Sequence, residues 1–122
     1  MLRSIPVLKR NGKKISEVAE WLDIDTIICS KNEKINYTNR TVYITSDGEY
    51  VHCIATDQIH ELLSEQSGFA ITDRGTLGNL NKDHEYDEKN NNIIMCEKHV
   101  ITVSTPRKSK VKEVIKKILS RK

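Results

Sequence analysis

Residues 69–79 read FAITDRGTLGN, and residues 103–108 read VSTPRK. In the first stretch Phe69 and Ile71 fit a strand with one apolar face, and Leu77 and Leu80 follow. Between them Asp73, Arg74, Gly75, Thr76, Gly78 and Asn79 bend, hydrogen-bond or carry charge. That is the composition of a loop held out towards a partner by rigid flanks. The second stretch leaves a β-branched run, Val100, Ile101 and Val103, and enters a basic helix. The two stretches predict one polar, cationic edge, with the rest of the chain as its support.

Downstream of that edge, Thr105-Pro106 is a helix start, an N-cap followed by proline at the first position. Val111, Val114, Ile115, Ile118 and Leu119 then recur at helical spacing, which predicts an amphipathic C-terminal helix docked on a sheet. Immediately upstream, Ile93–Cys96 and Val100–Ser104 read as strands, and the acidic run Asp83–Asp87 as an edge strand or loop. Asp73–Leu80 reads as a loop or short turn after a strand over Phe69–Thr72. Thr56 is an N-cap candidate for a helix from Asp57 to Ser64 with Ile59, Leu62 and Leu63 on one face.

Nearer the N-terminus, Asn11-Gly12 predicts a hairpin across Ile5–Val18, and Asp47-Gly48 a second across Thr41–Cys53. Between them Val18–Asp25 suits a short helical turn with Trp21 in the core, leading into a buried strand over Thr26–Cys29. Ser30–Arg40 is polar and reads as an extended loop or an irregular hairpin. The expected fold is therefore mostly β: packed antiparallel sheets and hairpins, one short helix and a C-terminal amphipathic helix. With 122 residues and no linker or repeat, the chain reads as a single domain over residues 1–122.

Net charge is +3, but its distribution is uneven. Residues 106–122 hold eight basic side chains and one acid, a net of +7; the remainder holds twelve basic and sixteen acidic, a net of −4. A basic segment on an acidic body points to a polyanion as partner. No apolar run is long enough to span a membrane and no signal-peptide core is visible, so the expected compartment is the cytoplasm. Cys29, Cys53 and Cys96 are odd in number and far apart, which suits reduced thiols there.

Catalytic motifs are missing. There is no GxSxG, HExxH, P-loop or GxGxxG, and His52, His60, His84 and His99 fall in different elements without ligand-like spacing. No enzyme, metal or cofactor is expected.

The ordered set Phe69, Asp73-Arg74-Gly75-Thr76, Asn79, Ile93–Cys96, Ser104 and Arg107-Lys108 before a helix resembles the LytTR DNA-binding domains, output modules of many bacterial response regulators. The resemblance runs over about residues 5–119 and includes Asp25–Ile28 and the Asp47-Gly48 hairpin. Arg74 and Gly75 stand where the family usually has His and Ser, Gly78 stands where a hydrophobic residue usually precedes the Asn, and Pro106 stands where an arginine is common. The family reads successive major grooves with loops. On that pattern Asn79 would offer its amide to a base edge, and Arg74 would pair with guanine or phosphate. Arg107, Lys108 and Lys110 would form the basic segment after the last strand, and Asn39 or Arg40 would reach from the first long loop. The resemblance implies a stand-alone, sequence-specific transcriptional regulator on double-stranded DNA, with two copies, as a homodimer, on repeated sites. The alternative is a protein-interaction module on the same fold that does not read DNA.

Overall fold

A computed structural model describes residues 3–52 and 58–120, without the side chains of residues 58 and 59. The chain opens with β1 (Ser4–Asn11) and β2 (Lys14–Asp23), an antiparallel hairpin in which Asn11 faces Lys14. The turn is Gly12-Lys13, one residue later than Asn11-Gly12, and Gly12 takes a φ of +64° that its missing Cβ permits. Extended pairing continues through Trp21 opposite Pro6 and Leu22 opposite Ile5. The helical turn expected over Val18–Asp25 is thus corrected: only Ile24–Thr26 forms a 3-10 turn, capped by Asp23, which accepts from the Asp25 N–H at 3.0 Å. Trp21 is also corrected. It lies on the outermost strand, 74 % exposed, because it faces away from the core that Leu22 enters.

The polar stretch after Cys29 forms a regular hairpin, where a loop or irregular hairpin was expected. β3 (Cys29–Ile35) pairs along its whole length with β4 (Thr38–Thr45). Asn36 and Tyr37, both with positive φ, make the two-residue turn. β5 (Gly48–His52) completes the hairpin expected there, Thr45 facing Gly48. The short helix α1 (Gln58–Ser64) follows, with Leu63 and His60 buried; Cys53, the proposed N-cap Thr56 and Asp57 lie outside the described residues. Next come β6 (Phe69–Asp73) and β7 (Thr76–Asn79), so the loop expected over Asp73–Leu80 shrinks to the turn Arg74-Gly75. The first sheet runs β2-β1-β5-β4-β3-β7-β6, antiparallel throughout.

A second, three-stranded sheet holds β8 (His84–Asp87), β9 (Asn92–Met95) and β10 (His99–Thr102), with the acidic β8 at its edge. After a 3-10 turn at Thr105–Arg107, α2 (Lys108–Ser120) buries Val111 and half-buries Val114, Ile115 and Ile118. These side chains join Ile28, Cys29, Ile44, Ala70, Leu80, Ile93, Met95, Ile101 and Val103 in one cluster that fastens the second sheet and α2 to the first. A second cluster around Tyr43, Tyr50, Phe69 and Leu77 covers the opposite face of the first sheet, since these residues alternate along their strands with Ile44, Ala70 and Gly78. Ile35, Val42 and Val51 form a smaller one with Leu8 and Ile15. The architecture is the mostly β arrangement that the sequence predicts. Among the described residues no helix is long and apolar enough to cross a membrane, and no three metal-ligating side chains gather.

Candidate nucleic-acid interface

The two stretches that open the sequence meet in space. The Ser104 N–H donates to the Thr72 carbonyl at 2.8 Å, which seats the start of the basic helix beside the end of β6. Arg74 occupies the turn that follows β6; its N–H donates to the Asp73 carboxylate at 2.8 Å, and its guanidinium is exposed with no ion pair among the described residues. The neighbouring Gly75 carbonyl accepts from the Asn32 N–H at 2.8 Å, which ties the turn to β3. Gly75 has a φ of +75°, which favours glycine, and a Cβ there would stand 2.9 Å from Asn32 Nδ2.

Arg107 ends the 3-10 turn, its N–H donating to the Ser104 carbonyl at 2.9 Å. Lys108 and Lys110 begin α2, and at 100° per residue they fall about 200° apart, on opposite flanks of the helix. None of the three forms an ion pair among the described residues, whereas Lys112 reaches Glu88 at 3.1 Å.

Asn39 and Arg40 lie on β4, not on a loop, and successive strand residues face opposite ways. Asn39 pairs across with Lys34 on the face that also carries Asn32; Arg40 pairs across with Glu33 on the other. The face of Asn39, Lys34 and Asn32 is the one that meets Gly75.

Asn79 is the residue whose placement differs most from the expectation. It is 1 % exposed. Its Nδ2 donates to the Ile27 carbonyl at 2.9 Å, and its Oδ1 accepts from the Asn81 N–H at 3.2 Å and from Asn81 Nδ2 at 3.0 Å. Both ends of the amide are engaged inside the protein, where Asn79 ties the turn after β7 to the segment that leads into β3.

At the far end of the β3–β4 hairpin the structure assembles residues that sequence reasoning left dispersed. Asn36 Nδ2 donates to the Lys13 carbonyl at 3.3 Å, joining the β3–β4 turn to the β1–β2 turn. Beneath them Arg10 bonds Glu33 at 2.7 Å, Glu49 at 3.4 Å and the Gly12 carbonyl at 2.6 Å. The hydrogen bond to Glu33 raises the Arg10 pKa, and the same bond holds the Glu33 carboxyl below its ordinary value. Arg10, one of four cations around the Gly12 turn, is therefore internal cement, while Lys13, Lys14 and Lys34 stay exposed and free of ion pairs among the described residues. The only advance signal was the Asn-Gly pair with its flanking lysines; Asn36-Tyr37 lacks the glycine that marks such turns.

Two buried polar pairs complete the interior, Ser30 with His60 at 2.7 Å and Tyr43 with His52 at 3.1 Å. Both pairs are buried, the first joining β3 to α1 and the second β4 to β5.

No family model matches the chain, and no curated protein matches it by sequence. Among solved structures it is similar to the LytTr DNA-binding domain of a methyl-accepting/DNA response regulator from Bacillus cereus, with a TM-score of 0.70 and 14 % identity over 94 % of this chain and 98 % of that one. With so large a share of both chains superposed on the same sheets and C-terminal helix, the chain has the fold of a LytTR DNA-binding domain.

Proposed function

We propose that this chain binds double-stranded DNA sequence-specifically and acts as a transcriptional regulator. The observation that carries the reading is the fold, shared over 94 % of the chain with a LytTr DNA-binding domain. The cationic end agrees with it: Arg74, Arg107 and Lys108 gather around the Ser104–Thr72 bond, each without an ion pair among the described residues. In this reading Arg74 and Arg107 carry the base-edge and phosphate contacts, Lys108 adds charge from the helix start, and Asn39 reaches from the β4 face beside Lys34. Asn79 supports the turn from within. Lys110 and Arg40, on other flanks, add general attraction only.

The test is fluorescence anisotropy with a random duplex pool at two salt concentrations, on the wild type and on Arg74→Ala/Arg107→Ala. Selective binding that weakens with salt, and that loses both selectivity and about two contacts' worth of salt slope in the double variant, supports the reading. The inward Asn79 amide favours one alternative, an interaction module that keeps the fold and reads no bases. Absence of duplex binding at low salt would favour that alternative.

A further inference from the structure

Tyr37 is 94 % exposed and has a φ of +69°. Left-handed backbone costs an aromatic residue strain that glycine would avoid, and this turn type favours Asn-Gly. The protein therefore holds a large side chain fully in water at the one turn position where having none is cheapest. Lys13, Lys34 and Asn36 stand around it and line with it a hollow of about 470 Å³. Lys14 follows Lys13 in the chain, and Arg10 below is neutralised by Glu33 and Glu49. What remains at the tip is the ammonium groups of Lys13, Lys14 and Lys34 and the Tyr37 phenol, each able to donate.

We propose that these joined hairpin tips form a second phosphate-binding contact on the DNA, with Lys13 and Lys34 as cations and the Tyr37 hydroxyl as hydrogen-bond donor. The proposal rests on the DNA-binding reading above. Asn32 is bonded to the turn that carries Arg74, and Asn36 lies four residues farther along β3 and its turn. At about 3.3 Å per residue the tip stands roughly 13 Å beyond Asn32. A major groove is about 12 Å wide. With Arg74 at one wall of the groove, the tip meets the sugar–phosphate backbone on the other. Asn39 and Lys34 face the space between, on the same side of the hairpin as Asn32. The hairpin then acts as an arm laid across the groove, anchored at both ends.

The experiment compares the full chain with Lys13→Ala/Lys34→Ala, with Tyr37→Gly, and with Lys89→Ala/Lys98→Ala, which removes the same charge from exposed turns of the second sheet. Binding to one selected duplex is followed across a salt series, with melting temperature measured in parallel. The tip pair is expected to lower the salt slope by about two, and the control pair to leave it near the wild-type value. Tyr37→Gly is expected to raise the melting temperature, since it relieves the left-handed backbone, while weakening DNA binding about fivefold. That opposition separates a functional tyrosine from a merely structural one. Equal slopes for the tip and control pairs, or a stabilised Tyr37→Gly variant with undiminished affinity, would overturn the proposal and leave the DNA-binding reading standing. A wild type that binds no duplex would overturn both.

Discussion

Gly78 of β7 and Ile101 of β10 approach so closely that a Cβ on Gly78 would stand 2.8 Å from Ile101 Cδ1. This is where the second sheet rests on the first. Gly78→Ala is expected to cost about 1–3 kcal/mol through overpacking. Adding Ile101→Val removes the offending methyl and should restore part of that loss. Urea denaturation of the two single variants and the double one checks it, and simple additivity would refute the contact.

Asn79 joins the end of β7 to the segment that leads into β3, through a buried hydrogen bond to Ile27. Asn79→Ala leaves that carbonyl without its partner, and a loss of about 1–3 kcal/mol is expected. DNA affinity of the folded variant should stay near the wild-type value. Affinity that collapses while stability is unchanged would restore Asn79 to the contact surface.

His52 is packed edge-on to Tyr43, ring centres 5.9 Å apart, and burial holds its imidazole below the ordinary value of 6.5. The unfolded chain therefore takes up the proton first. Stability that depends on neutral His52 is present above about pH 6.5 and declines as pH falls through the window below it. Denaturation midpoints measured from about pH 7.5 down to about pH 5.5 should fall for the wild type and fall less for His52→Gln. Equal declines would show that His52 contributes nothing to the pH dependence.

Cys29 is 2 % exposed, and burial pushes its thiol up to about 11. It should resist alkylation in the native protein and react only as the chain unfolds, whereas the partly exposed Cys96 should label early. Peptide mapping after timed iodoacetamide treatment distinguishes them; early label on Cys29 would contradict its burial.

The β-rich outline was legible because strand alternation and helical spacing are local: Phe69 and Ile71, the Val100–Val103 run, and Val111 with Val114, Ile115 and Ile118 each announce their element within a few residues. Val18–Asp25 was misread because Ala19, Trp21 and Leu22 fit either period, and only pairing with Pro6 and Ile5 decides. The β3–β4 hairpin was hidden by its polar composition and by a turn without glycine. At the candidate site, the meeting of the two stretches was readable. The inward aim of Asn79 was not, since an amide looks the same in sequence whichever way it points. Its direction is settled by a carbonyl 52 positions away. The Tyr37 cluster likewise exists only because two turns distant in sequence touch.

Trp21 is the chain's one tryptophan, and it stands largely in water on the outer strand β2. Indole emission follows the polarity around the ring, so the native protein should already emit at the long wavelengths of a solvated indole. Unfolding would move that maximum little, which leaves circular dichroism or the tyrosines to follow the transition. Anything that settles against the outer edge of β2 would instead shift the emission to the blue. The fold thus carries an optical probe that is nearly silent towards its own unfolding and sensitive to a visitor on one flank.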